Sequence, residues 1–285
     1  MEGVAERTTK RKQILEKKKV VDGLIRAASS LKNPLAPFSE FLNYNLQGLC
    51  LSLEGGHGAK LSRSLKQYVL NLVKQNMQQH YGDEWPKEEK VKCRDMVAPE
   101  ARYIFVYEVP TLVSSTEKRL MPTNEHKNDV VGFVHYRFIT EEELPVLYVY
   151  ELQLEPRIQG KGLGKFLMQL LELIARKLDG FGTFVYNCMA AIVLTVQKAN
   201  LSAMFFYTSK LGYCISSMSP SRVDPLVGLR KNYEILCKSF DQEAKNKFEV
   251  HLLSPEQNTY CGQFTGFFKS QFELINDFWS SGAVI

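Results

Sequence analysis

Gln159-Gly160-Lys161-Gly162-Leu163-Gly164 is the stretch of this sequence best suited to chemistry. Its spaced glycines let the backbone come close to a ligand, and successive N–H groups at a helix start make a nest for an anion. Lys161 and Lys165 add positive charge. That combination suits an anion. The stretch lacks the Lys-Ser/Thr ending of a P-loop and the full spacing of a dinucleotide fingerprint, so a tight turn that simply needs glycine is a competing reading. Other chemistries find less support. The six cysteines (Cys50, Cys93, Cys188, Cys214, Cys237, Cys261) stand at no CxxC spacing, and His57, His80, His126, His135 and His251 form no ligand pattern. No metal site and no disulfide framework is expected, and the thiols are read as reduced and intracellular.

An anion nest needs a strand before it and a helix after it. Val146 to Leu154 (VLYVYELQL) reads as a strong strand ended by Pro156. After the glycines, Leu167, Leu170, Leu171, Ile174 and Leu178 keep helical spacing, with Arg176 and Lys177 in the last turn and Gly180 as a cap. Upstream, Arg7 to about Leu31 favours a helix that Asn33-Pro34 stops, and a loop with Pro34, Pro37 and Gly55-Gly56-His57-Gly58 follows. Ser62 is placed to cap a helix carrying Leu65, Val69, Leu72, Val73 and Met77 on one face. Arg102–Val109 and Val131–Phe138 read as strands, joined by a long mobile loop from Pro110 to Asp129. Beyond the acidic turn Glu141-Glu142-Glu143 and the glycine helix, a strand is expected at Ala191–Val196. A helix around Ser202–Lys210 and short strands near Gly212–Ser216 and Lys231–Cys237 complete the pattern. This order mixes hairpins with a β–α–β crossover, so the class is α/β (or α+β) with a mixed sheet. The residues after Phe240 show no clear pattern.

The chain has 285 residues, 45% hydrophobic and 24% charged, which argues for a globular protein rather than a disordered or fibrous one. No apolar run approaches the roughly 18–20 residues that span a bilayer, which argues against a membrane protein, and the basic start lacks a signal-peptide core. The formal charge of +5 is concentrated between Arg7 and Lys19, where seven Lys or Arg face one Glu. That arm suits an acidic surface such as ribosomal RNA or chromatin, a nuclear address, or simply a solvated helical extension. Three segments follow: residues 1–60, a basic helix and loop; residues 61–240, the main domain; and residues 241–285, an extension of unknown structure.

The glycine stretch after Glu151-Leu152-Gln153-Leu154 resembles the pyrophosphate-binding signature of the GNAT acetyltransferases. The resemblance extends to the NatD-type histone N-alpha-acetyltransferases. It is carried by Tyr148 to Leu154, Lys161 to Leu167, Asn76-Met77 with Tyr81 and Trp85, His135 to Phe138, Leu194-Thr195-Val196, Asn200, Phe205-Phe206 and Tyr233 to Leu236. These matches are spread over most of residues 8–238.

The resemblance implies the GNAT fold, a mixed central sheet flanked by helices, and acetyl-CoA as co-substrate. It implies that Leu152, Gln153 and Leu154 hold the pantetheine arm, that Gln159 to Gly164 (Gln159, Gly160, Lys161, Gly162, Leu163, Gly164) cradle the pyrophosphate, and that Asn200 contacts the cofactor. Asn200 also reads as a helix cap. The implied reaction is acetyl transfer to the N-terminal Ser of histone tails beginning Ser-Gly-Arg-Gly, by direct attack through a tetrahedral intermediate. An α-amine titrates near about 7.7–8 and a lysine amine near about 10.4, so the former asks little of a base. Glu151 is the first candidate for that base, with Tyr150, Tyr148 and Tyr81 as catalytic companions. In a regular strand Tyr148 and Tyr150 share the face opposite Glu151, and a bulge would re-aim one of them. Tyr81, Trp85, Glu141, Tyr150, Thr195 and Tyr233 are the implied substrate contacts, although Trp85 also suits a core. The family places two acids after His-x-Arg-Phe. Here Ile139 occupies the first position, Glu141 keeps the second, and Glu142 or Glu143 could compensate. Residues 110–129 and 180–187 look inserted. Histone tails, with ribosome or chromatin through the basic arm, are the expected partners, and nucleus and cytoplasm the expected location. Rival readings are a GNAT acting on lysine or a small amine, and a disabled acetyl-CoA- or histone-binding module.

Overall fold

The strand patterns resolve into one mixed sheet. The computed structural model describes residues 2–46, 48–109, 129–176 and 189–249. Among them are β1 (Asn43–Leu46), β2 (Leu49–His57), β3 (Arg102–Glu108), β4 (Val130–Glu141), β5 (Leu144–Leu154), β6 (Ala191–Gln197), β7 (Cys214–Ile215) and β8 (Tyr233–Ser239). They pair in the order β1-β2-β3-β4-β5-β6-β8-β7. The first five run antiparallel to their neighbours, and β5 with β6 is parallel. The parallel pair brackets the glycine helix, as a β–α–β crossover requires.

Two strands lie where the sequence suggests a loop. Leu51 and Leu53 of β2 point into the core, and Gly56 lies opposite Tyr103. A Cβ on Gly56 would sit 2.5 Å from the Phe105 ring, so glycine there admits a neighbouring aromatic rather than marking a turn.

Helices cover both faces. The alternation of β3 sends Tyr103 and Phe105 to one face and Ile104 and Val106 to the other. On the Tyr103 face lies α2 (Arg63–Tyr81), contributing Val69, Leu72 and Val73, followed by α3 (Trp85–Asp95), which the sequence did not announce. Ser62 caps α2 as expected, its Oγ accepting from the Leu65 N–H at 3.2 Å. On the Ile104 face lie α1 (Glu2–Ser30) and α4 (Leu163–Arg176), the latter with Leu167, Leu170, Leu171 and Ile174 buried. Arg102 fastens α1 to the sheet. Its guanidinium donates to the carbonyls of Leu31 (2.7 Å) and Ser29, a cation at the carbonyl-rich helix end.

The helix expected at Ser202–Lys210 divides into α5 (Leu201–Phe205) and a π-helical turn, Phe206–Lys210. Short helices α6 (Pro220–Val223) and α7 (Pro225–Arg230) precede β8. After it, α8 (Gln242–Phe248) carries the compact unit through Glu249, past the boundary drawn at residue 240. Asp241 caps α8, and Ala244 and Phe248 are fully buried. The remainder of the tail, residues 250–285, lies outside the described residues, as do 110–128 of the expected loop, 180–187, and Lys177, Leu178 and Gly180 of the expected helix end. No helix among the described residues is long and apolar enough to cross a membrane.

Candidate active site

Two irregularities of β5 build the site. The first is a parting of strands. β5 stays paired with β4 to its end (Gly132 opposite Leu154), whereas its ladder with β6 ends at Val149 opposite Leu194, although both strands continue. The backbone from Tyr150 to Leu154 therefore leaves β6 and opens a cleft beside Leu152, Gln153 and Leu154. The second irregularity is a bulge. His135 opposes Glu151 but Tyr136 opposes Val149, so Tyr150 is the extra residue. The alternation resets there. Tyr148, Tyr150 and Glu151 all line the same cavity, which corrects the regular-strand expectation that Glu151 faces away from the tyrosines.

At the mouth of the cleft, Gly160 and Gly162 adopt φ of +74° and +84°, conformations that glycine enters freely. The turn is pinned from β1, where the Tyr44 hydroxyl donates to the Lys161 carbonyl at 2.9 Å and the Tyr44 ring lies 4.9 Å from Phe166. Leu163 is buried and starts α4, with Gly164 against Phe206. A helix N-terminus behind two left-handed glycines, next to Lys161 and Lys165, fits a pyrophosphate, and the parted strands fit an extended arm beside them. Acetyl-CoA bound this way supplies an activated acetyl thioester. Gln159 and Asn200 are used within the protein. Gln159 Nε2 donates to the Leu154 carbonyl at 2.9 Å, and Asn200 Oδ1 caps α5 through the Ala203 N–H at 3.1 Å. Gly160→Ala is expected to cost about 1–2 kcal/mol of stability from backbone strain. No atom crowds a Cβ at that position, so urea unfolding would read the torsional cost alone.

The cavity beyond the cleft holds about 330 Å³. Tyr81 and the α3 face Glu88, Lys92 and Asp95 form one wall; His135, Ile139 and Glu141 of β4 form another. Tyr148, Tyr150 and Glu151 of β5 and Thr195 of β6 complete it. Six expected site residues thus meet here: Tyr81, Glu141, Tyr148, Tyr150, Glu151 and Thr195. Trp85 and Tyr233 do not line it. Trp85 is 3% exposed in the α2 core cluster with its ring 5.9 Å from Tyr81, which it backs, while Tyr233 pairs with Gln197 at the end of the β6–β8 ladder.

Glu151 has donors on both oxygens. Oε1 pairs with the Lys92 ammonium, and Oε2 accepts from Gln153 Nε2 at 2.8 Å. Gln153 is itself held by Asn76 Nδ2 at 3.0 Å. Burial opposes the charge on Lys92, but Glu151 and Tyr81 outweigh it and hold the ammonium above its ordinary range. The Tyr148 hydroxyl meets Thr195 Oγ1 at 2.6 Å; burial pushes it up to about 12, against the pull of that bond. His135 stacks against Tyr103 (4.9 Å) and Tyr150 (4.8 Å), and the Arg137 guanidinium lies 4.3 Å from the centre of the Tyr150 ring. Burial, aided by Arg137 and Lys92, lowers His135 to about 3, so its ring is neutral near pH 7. Burial and Glu142 raise the Glu141 carboxyl. Glu142 and Glu143, the possible substitutes for the acid that the resemblance places at Ile139, do not line the cavity. They form the β4–β5 turn with φ of 46° and 62°, and Glu143 pairs with Lys247 of α8 at 3.4 Å.

Lys92, His135, Arg137 and Tyr44 received no role from the sequence. One signal was present for the first: Glu88, Lys92 and Asp95 stand at i, i+4 and i+7, a single helix face. Among the described residues, no group of three or more His, Cys, Asp or Glu is arranged for a metal ion.

A mixed sheet that parts beside a glycine-started helix is the GNAT architecture, and residues 75–213 match the acetyltransferase (GNAT) family. The chain has the GNAT fold, and acetyl-CoA is the acyl donor of the family that these residues match. Among solved structures, it is similar to PaiA N-acetyltransferase from Thermoplasma acidophilum in complex with coenzyme A (15% identity, 66% of this chain and 99% of that one, TM-score 0.41). It is also similar to Naa50 of Arabidopsis thaliana in complex with a bisubstrate analogue (18% identity, 67% and 99% covered, TM-score 0.38).

Proposed function

We propose that this protein is an N-alpha-acetyltransferase that moves the acetyl group of acetyl-CoA to the N-terminal Ser of histone tails beginning Ser-Gly-Arg-Gly. The observation that carries the proposal is the bulge at Tyr150, which turns a carboxylate and two tyrosines into one cavity at the point where β5 leaves β6. The α-amine attacks the thioester carbonyl, the N–C bond forms, and the C–S bond breaks. The amine proton passes to Glu151, directly or through a water, and the leaving sulfur takes a proton from a tyrosine hydroxyl or from water. Lys92 and Gln153 hold Glu151 in place, and the hydrogen bond to Thr195 holds Tyr148. Glu141, at the cavity wall, suits the guanidinium of the third residue as a charge-assisted partner. Histone tails are then the partners. The exposed stretch of α1 from Arg11 to Val20 suits contact with acidic chromatin or ribosome surfaces, consistent with work in nucleus and cytoplasm.

A lysine acceptor would need a stronger base or a desolvated pocket to lose its proton, since its amine titrates about 2.5 units higher than an α-amine. The test is mass spectrometry on two peptides incubated with protein and acetyl-CoA: free Ser-Gly-Arg-Gly-Lys and the same peptide with a blocked amino end. One added acetyl group on the free peptide alone is expected. Acetylation of the blocked twin would assign the lysine, and bound acetyl-CoA without product would leave a binding module.

A further inference from the structure

Lys92 is a cation in the wall of a site whose expected substrate is also cationic. An ammonium there needs a reason. Its side chain is 18% exposed, paired with a Glu151 side chain that is 11% exposed, and its Nζ lies 5.1 Å from the centre of the Tyr81 ring. One ammonium thus touches both the carboxylate on β5 and the tyrosine at the end of α2, and it reaches them from a third element, α3. It joins α3 to the bulged strand.

We propose that Lys92 is the positioning residue of the active site: it locks the Glu151 carboxylate in its cavity-facing pose. This rests on Glu151 being the proton acceptor. Two donors hold the carboxylate, and they differ in kind. Gln153 contributes a neutral hydrogen bond that Asn76 orients, whereas Lys92 contributes charge. A charge-assisted hydrogen bond is about twice as strong as a neutral one, so Lys92 is the stronger of the two holds. Losing it frees the carboxylate to leave the pose in which it meets the substrate amine. The other groups around Glu151 do not replace it. Asp95 of α3 is an anion, Tyr103 of β3 and Tyr207 of the π-helical turn are buried phenols, and His135 of β4 is neutral. Arg137 of β4 is a cation as well, and it is engaged with the Asp95 carbonyl at 2.6 Å and with the Tyr150 ring. Lys92 also stays charged through the working range, because Glu151 and Tyr81 hold it above an ordinary lysine.

The experiment measures kcat and KM separately for wild type, Lys92→Met and Lys92→Arg at about pH 8.5, where an α-amine is mostly neutral, using whichever peptide amine the wild type acetylates. With Lys92→Met kcat is expected to fall by about 10²-fold, the cost of a misplaced catalytic group, with an unchanged Kd for acetyl-CoA, because the glycine turn lies outside the α3 wall. Lys92→Arg should restore most of kcat. An unchanged kcat in Lys92→Met would overturn the proposal. So would equal losses in both variants, the mark of a merely structural residue. Should the wild type acetylate no peptide, the proposed reaction fails and the positioning claim is judged by unfolding. A urea double-mutant cycle of Lys92→Met with Glu151→Gln should then show coupling, and additive midpoint shifts would refute it. The same cycle judges the claim if Lys92→Met alone is too unstable to assay.

Discussion

Glu151→Gln lowers kcat/KM for a free-amine peptide by about 10²–10⁴-fold, the range for removing a general base, while acetyl-CoA binding stays at the wild-type value. Glutamine keeps the shape of the side chain and can still hydrogen-bond Gln153, so the change removes charge and basicity rather than volume. The substitution also leaves the Lys92 ammonium buried without its anion, so unfolding must be followed beside the rate. Rapid-quench acetylation at fixed acetyl-CoA separates the two effects. A variant that turns over at the wild-type rate would remove Glu151 from the chemistry and leave Tyr148 or Tyr150 to be tested as proton acceptor.

The second large effect is on stability. Glu172 is 5% exposed on α4, and the Lys238 ammonium of β8 meets both its oxygens at 2.9 Å and the Leu211 carbonyl at 3.1 Å. Lys238→Met keeps the apolar stem but leaves a buried carboxylate whose other contact is the Tyr213 hydroxyl at 3.4 Å. Breaking a buried pair from one side costs about 3–5 kcal/mol, a large share of an ordinary domain's stability. Urea unfolding at constant pH reads the loss. Since α4 begins at the glycine turn, acetyl-CoA should restore part of the lost stability through binding to the folded state. A shift under about 1 kcal/mol would mean that water reaches Glu172 and that the pair is a surface contact in energetic terms.

Much of this arrangement was legible in the sequence. Ser62 announced α2, the spacing of Leu167, Leu170, Leu171 and Ile174 announced α4, and Gly160 and Gly162 stand where the backbone turns left-handed. What failed has common causes. The glycines of β2 punctuate nothing because the Phe105 ring, brought by β3, fills the space beside Gly56. The segment after Phe240 shows no pattern of its own, yet α8 forms because Phe248 and Ala244 find a pocket made by distant strands. Trp85, credible as a substrate contact, became core because α3 turns it toward Tyr103 and Val73.

The same division runs through the site. Residue types and short periods alone determined a strand, a glycine turn and a helix suited to an acyl-CoA, because φ preferences and spacings of two to four residues act locally. They also placed Glu151 beside Tyr150 in the chain, but not in space. Which way each faces depends on how many residues β5 and β4 spend between shared hydrogen bonds, and that count is settled only when the two strands pair. Nor does anything local connect Lys92 to a carboxylate 59 residues further along. Their contact exists because α3 lines the cavity into which the bulge turns Glu151, and burying either charge without the other is costly.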